Sequence, residues 1–161
     1  KRHVLTTSQM VPDSNQVVKR ITTDPLILCA GLEYLKRNGT PKATEDLKAH
    51  RCLASSYIMD ARANQSVSPW VLYKEEQAIR PSVSLSFKTN SLNALSSAVH
   101  SNLGIAQIPA SIVKDAVIEG DIVPLLQSYE QENIETFAYI SQRTLSSKKV
   151  SLFLEALVAY C

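Results

Sequence analysis

The chain holds few residues whose types and spacing could make or break a bond. Its histidines, His3, His50 and His100, stand far apart without a partner at ligand spacing, so a zinc centre is not expected. Each fits a surface or helix-end position better. Glycine occurs only at 31, 39, 104 and 120, which excludes G-x-G-x-x-G and a phosphate-cradling loop. The G-x-S-x-G nucleophile elbow is absent. The acids Glu75-Glu76, Glu130, Glu132 and Glu135 lie in turn-like contexts, where solvation explains them better than paired acid/base work. No enzyme and no cofactor is expected. What remains is polar clusters at strand ends, Thr6-Thr7-Ser8 and Thr89-Asn90-Ser91. Such groups grip a solute without reacting with it. A helix N-terminus beside them offers free N–H groups with partial positive charge, which suits a small anion or carboxylate. Capping the helix would use the same Asn90 and Ser91 atoms, and the two roles can coexist.

The elements that must position these groups follow from periodicity. Val4–Thr7 reads as a short strand that breaks at Pro12-Asp13-Ser14-Asn15. Val17–Ile21 and Leu26–Cys29 read as two further strands, the second apolar enough for burial on both faces, as in a parallel sheet. A short helix with Leu32 and Leu35 on one side stops at Asn38-Gly39 and Pro41, and Thr44 resembles the N-cap of the next helix. Strands are expected at 52–57, 70–73 and 83–87, the last alternating with period two. Leu92, Leu95 and Val99 mark a helix capped by Asn90 or Ser91. The strand 105–108 leads to a helix over 110–118 that stops at Gly120. Strands at 122–126 and 137–140 follow. A final helix carries the stripe Val150, Phe153, Leu154, Leu157, Val158. Strands alternating with helices at short spacing define an α/β protein.

Composition narrows the class further. One domain or two small lobes fit 161 residues, and 45% hydrophobic with 20% charged residues is an ordinary globular mix. A net charge of +2 is too weak to hold a nucleic-acid backbone by charge alone. No apolar run reaches membrane-spanning length. Cys29, Cys52 and Cys161 are odd in number and widely spaced, which fits a reducing compartment such as the cytoplasm. The chain opens on Lys1-Arg2-His3 with no initiator Met and reads as a fragment of something longer.

Four stretches resemble one family, the LysR-type transcriptional regulators. Residues 26–50, LILCAGLEYLKRNGTPKATEDLKAH, followed by Cys52-Leu53, are similar to its L-V-A-S-P-x-Y-L-x-x-x-G-x-P-x-x-P-x-D-L-x-x-H segment. Residues 90–109, NSLNALSSAVHSNLGIAQIP, resemble its helix and G-I-A-x-L-P strand. Residues 119–126 look like its G-x-L-V-x-V-L strand, and 145–154 like its closing helix with one extra lysine.

The resemblance implies the family's effector-binding domain: a two-lobed, type-2 periplasmic-binding-protein-like α/β fold with two crossover strands. Residues 1–28 with 139–161 would be the remnant of an incomplete first lobe, and 29–138 the second, with crossings at Leu26–Cys29 and Phe137–Ile140. The family's opening strand–helix–strand–helix and its winged helix-turn-helix DNA-binding domain would be absent from this chain. Carried over by position, the effector would meet Thr7 and Ser8 on the first lobe. On the second it would meet Thr89, Asn90, Ser91, Gln107 and Ile108. The implied partners are a small-molecule effector, a homodimer or tetramer, and DNA only through the missing domain. A solute-binding protein of a transport system, or an interaction module with a vestigial cleft, are the alternatives. Loss of a central first-lobe strand would leave residues 1–28 and 141–161 less stable than the middle lobe, or held by another copy of the chain.

Overall fold

In a computed structural model of the chain, residues 4–6, 16–56, 68–141 and 148–160 are described. The elements run β1 (Val4–Thr6), β2 (Gln16–Gly31), α1 (Leu32–Asn38), a 3-10 turn (Thr44–Ala49), β3 (Arg51–Ser55), β4 (Leu72–Lys74) and β5 (Gln77–Ile79). Then follow β6 (Ser84–Thr89), α2 (Leu92–His100), β7 (Ile105–Pro109), α3 (Ala110–Glu119), β8 (Ile122–Pro124), β9 (Glu130–Gln131), β10 (Asn133–Ser141) and α4 (Lys148–Tyr160). The main sheet has the order β1-β10-β2-β7-β3-β6, with β8 also on β2, and a small sheet has the order β5-β4-β9.

The two short strands expected at 17–21 and 26–29 are halves of one. Through Pro25, β2 pairs antiparallel with β10; from Leu26 it pairs antiparallel with β7, and at its end with β8. Proline fits an extended strand where its missing N–H breaks no ladder, and Pro25 stands at the handover between the two pairings. The chain returns to the first half at Asn133, where β10 begins opposite Pro25. Both points lie ahead of the expected crossing segments, since Leu26–Cys29 already belongs to the second half of the sheet.

That second half is apolar on both faces because neighbouring residues in a strand point to opposite sides. Cys29, Leu53, Ala106 and Ile108 pack under α2 and α3 with Leu95, Val99 and Val113. Their neighbours Leu28, Ala30, Cys52 and Ile105 pack on the other side with Tyr34, Leu47, Trp70 and Leu72. Both Cys29 and Cys52 are fully buried, and burial pushes each thiol up to about 12. They act as small hydrophobes, as their apolar neighbours suggested.

Several expectations change in detail. Within α1, Tyr34 and Leu35 are buried while Leu32 faces out, so the apolar side is not Leu32–Leu35. Thr44 does not cap the next element. The Asp46 carboxylate accepts from the Lys42 and Ala43 N–H groups instead, at 2.8 and 3.0 Å. The period-two strand 83–87 does not present one buried face. Its register slips between Cys52/Leu85 and Leu53/Phe87, so the two apolar side chains pair on opposite faces and both stay more than a third exposed. On α4, Leu154 is buried but Phe153 is 65% exposed, and the expected stripe is only partly covered. Among the acids, Glu132 is buried and accepts from the Tyr73 hydroxyl at 3.0 Å, and Glu135 meets Arg20 at 2.9 Å. Glu130 is exposed, as expected, and so is the turn pair Glu75-Glu76, where both residues have positive φ and close the β4–β5 hairpin.

Candidate strand-end solute site

Strand direction decides where polar groups gather. Leu26, where β2 enters the second half, pairs with Pro109, the last residue of β7. Both β3 and β6 run parallel in the same ladder, β3 beside β7 and β6 beside β3. The carboxyl ends of all three, at Ser55, Thr89 and Pro109, therefore face the handover between the two halves. In open α/β sheets this edge is where ligands dock.

Thr89, Asn90 and Ser91 sit there together. Ser91 is the N-cap of α2: its Oγ accepts from the Ala94 N–H at 3.3 Å, and the Thr89 Oγ1 accepts from the Ser91 N–H at 3.1 Å. The Thr89 carbonyl accepts from the Ser56 N–H and hydroxyl at 2.8 and 3.3 Å. That leaves Asn90, exposed and not used as the cap. It lines a shallow depression of about 230 Å³ with Ser91, Leu92 and Asn93 at the α2 N-terminus. The other candidate anion end is filled, because Asp24 of β2 takes the Ser111 N–H and hydroxyl at the start of α3.

Gln107 and Ile108 are placed differently. Ile108 is fully buried beneath α2 and α3 and presents no surface to a solute. The Gln107 side chain is also buried, and its Nε2 donates to the Gln131 Oε1 at 3.1 Å. Gln131 in turn lines a larger hollow of about 500 Å³ beside β2 and the segment 124–133. Thr7 and Ser8 lie outside the described residues, as does His3. Ser55 and Ser56, a polar pair closing the apolar run of β3, are neighbours the sequence reading passed over. The strand expected at 52–57 runs through them, whereas β3 ends at Ser55.

His50 proves to be a core histidine at the end of the 3-10 turn. Its Nδ1 meets the Tyr34 hydroxyl at 3.2 Å, and that hydroxyl accepts from the Arg51 N–H at 3.0 Å. Burial lowers the His50 pKa, which favours the neutral ring. His100, exposed at the end of α2, meets the Ser96 carbonyl at 2.8 Å. Among the described residues no cluster of His, Cys, Asp or Glu could hold a metal ion. No helix among them is long and apolar enough to cross a membrane.

Two half-sheets joined through the one long strand β2, with polar groups at the strand ends between them, define a binding domain of the two-lobed α/β type. The chain belongs to the LysR substrate binding domain family, whose model matches residues 4–161. An uncharacterised HTH-type transcriptional regulator of Haemophilus influenzae is 29% identical over 143 residues, covering 88% of this chain and 48% of that protein. The HTH-type transcriptional regulator CrgA of Neisseria meningitidis is 26% identical over 148 residues, covering 91% and 47%. The chain thus spans about half the length of these relatives, both named as regulators rather than as enzymes. The solved CrgA regulatory domain superposes with a TM-score of 0.76 at 24% identity, covering 94% of this chain and 71% of that one. Full-length AphB, a virulence activator of Vibrio cholerae, gives 0.74 at 22% identity, covering 93% and 49%.

Proposed function

We propose that the chain senses a small-molecule effector held at the ends of β3, β6 and β7, and passes its presence to a DNA-binding partner domain of the whole regulator. The observation that supports this is Asn90. It is a polar side chain at the seam, beside an open helix N-terminus, while its neighbour Ser91 does the capping. The α2 N–H groups and the Asn90 amide suit a carboxylate-bearing metabolite. A solute touching both halves would favour one closure angle about the handover at Pro25 and Asn133. In a dimeric or tetrameric regulator that bias would change how the DNA-binding domains sit. No residue need react with the effector.

Isothermal titration of the full-length regulator against a panel of metabolites tests this. A carboxylate ligand should bind, and Asn90→Ala should weaken it. An affinity unchanged in Asn90→Ala removes that residue from the site, and no affinity for any member favours an interaction module.

A further inference from the structure

A hollow larger than the depression at Asn90 lies away from it. On one edge of β2 the ladder with β10 ends at Pro25 and the pairing with β8 begins only at Cys29. Between them the segment 125–132 makes an excursion, tied back by Leu125 N–H to the Leu28 carbonyl at 2.7 Å and Leu26 N–H to the Glu132 carbonyl at 2.9 Å. The gap in the ladder opens into a cavity of about 500 Å³, within the size range of small-molecule sites.

Its walls are chemically selective. Pro25 and Pro124 give flat apolar surface, and Tyr129 adds a ring. Gln127, Gln131 and Asn133 give amide groups, while the charged side chain in the wall is Glu130. Among the described residues no lysine, arginine or histidine lines it. Lys74 lies over the Tyr129 ring, 5.5 Å from its centroid, rather than in the wall. The buried Gln107 amide holds the Gln131 Oε1, which leaves the Gln131 amino group as the donor it can offer. Among the described lining residues an anion would meet the Glu130 carboxylate and no cation. A carbonyl oxygen on an uncharged ring would meet donors and apolar faces.

We infer that this hollow is a second solute site, selective for uncharged, carbonyl-bearing ring compounds and distinct from the strand-end site. Its walls include Pro25, where β2 changes partner, and Asn133, where β10 begins. A solute lodged here therefore touches both crossing strands at once, and this consequence alone rests on the sensor reading above.

The test is titration of the chain with benzamide and, separately, with benzoate, followed by backbone amide chemical shifts. Benzamide is expected to move the signals of Leu26–Leu28 and Gln127–Gln131, while benzoate leaves them in place. Gln127 is exposed at the rim. Gln127→Trp, which fills the opening, should weaken benzamide at least about tenfold, whereas Gln127→Ala should retain it. Three results would each overturn the inference: no movement at these positions up to the solubility limit of benzamide, equal binding of benzoate in the hollow, or full binding to Gln127→Trp. Benzoate shifts confined to Asn90–Asn93 would report on the strand-end site independently, so the two readings can fail separately.

Discussion

Asp24 and Ser111 are 87 residues apart, yet the Asp24 carboxylate accepts both the N–H of Ser111, at 3.3 Å, and its hydroxyl. This joins the crossing strand β2, one residue before its handover at Pro25, to the first turn of α3. A negative group at a helix N-terminus satisfies donors that α3 cannot satisfy itself. Asp24→Ala should lower stability by about 0.5–2 kcal/mol, read as a fall in the urea midpoint. Faster amide exchange should appear first in residues 110–113.

Tyr34 and His50 set a pH limit on the second half. In Tyr34→Phe the Arg51 N–H and the His50 Nδ1 both lose their partner, at a cost of about 1–3 kcal/mol for buried groups left unmade. Urea unfolding would show it.

The same pair predicts a pH profile. Burial holds the folded-state pKa of His50 below its ordinary 6.5, while the unfolded chain takes up its proton near that value. The contribution is therefore fully present above about pH 6.5 and declines as pH falls from there towards the lower folded-state pKa. Unfolding midpoints at pH 7.5, 6.5 and 5.5 should decrease in that order, and His50→Gln should flatten the slope. Asp46 loses its contribution only under stronger acid. Its carboxyl is held below 3.8, chiefly by the Lys42 and Ala43 N–H groups, and protonates below that value.

Gly104 permits the β3–β7 approach. A Cβ placed there would run into the Arg51 carbonyl, which is backbone and cannot swing aside, and would crowd Leu53. Gly104→Ala should cost about 1–3 kcal/mol as an overpacked site, measured by thermal or urea unfolding. Gly39→Ala meets nothing nearby and would act only through its positive φ.

The α/β class, the helices at 92–100 and 110–119 and the both-faces burial of Leu26–Cys29 were legible because apolar spacing is local information. Joining Val17–Ile21 to Leu26–Cys29 was not legible. Asp24-Pro25 reads as a break until the partner change from β10 to β7 shows why no N–H is needed there. The slip at Phe87 is invisible for the same reason, since register belongs to the pair of strands. At the site, Thr89-Asn90-Ser91 was found from its strand–helix junction. Ile108 was carried over by position, and its side chain falls on the core side of β7. The hollow beside Gln131 left no local trace, because its walls come from residues about 100 apart in the chain, Pro25 and Asn133 among them.

The described halves should also differ in protection. Among the described residues the buried hydrophobic side chains lie between Leu26 and Ile134, apart from Ile140 and Leu154. Amides of β10 beyond Thr136, of β2 before Pro25 and of α4 should exchange faster than those of β3, β7 and α2. Equal protection would remove the proposed difference between lobes.

The central claim is that a solute is gripped where β3, β6 and β7 end, at the seam between two hinged halves. Backbone amide shifts of the chain during titration with small carboxylates measure this directly. The account predicts saturable movement at Ser55, Ser56 and Thr89–Asn93, abolished at Asn90–Asn93 by Asn90→Ala. Movement elsewhere with these residues unchanged, or the same response in the Asn90→Ala chain, would contradict it.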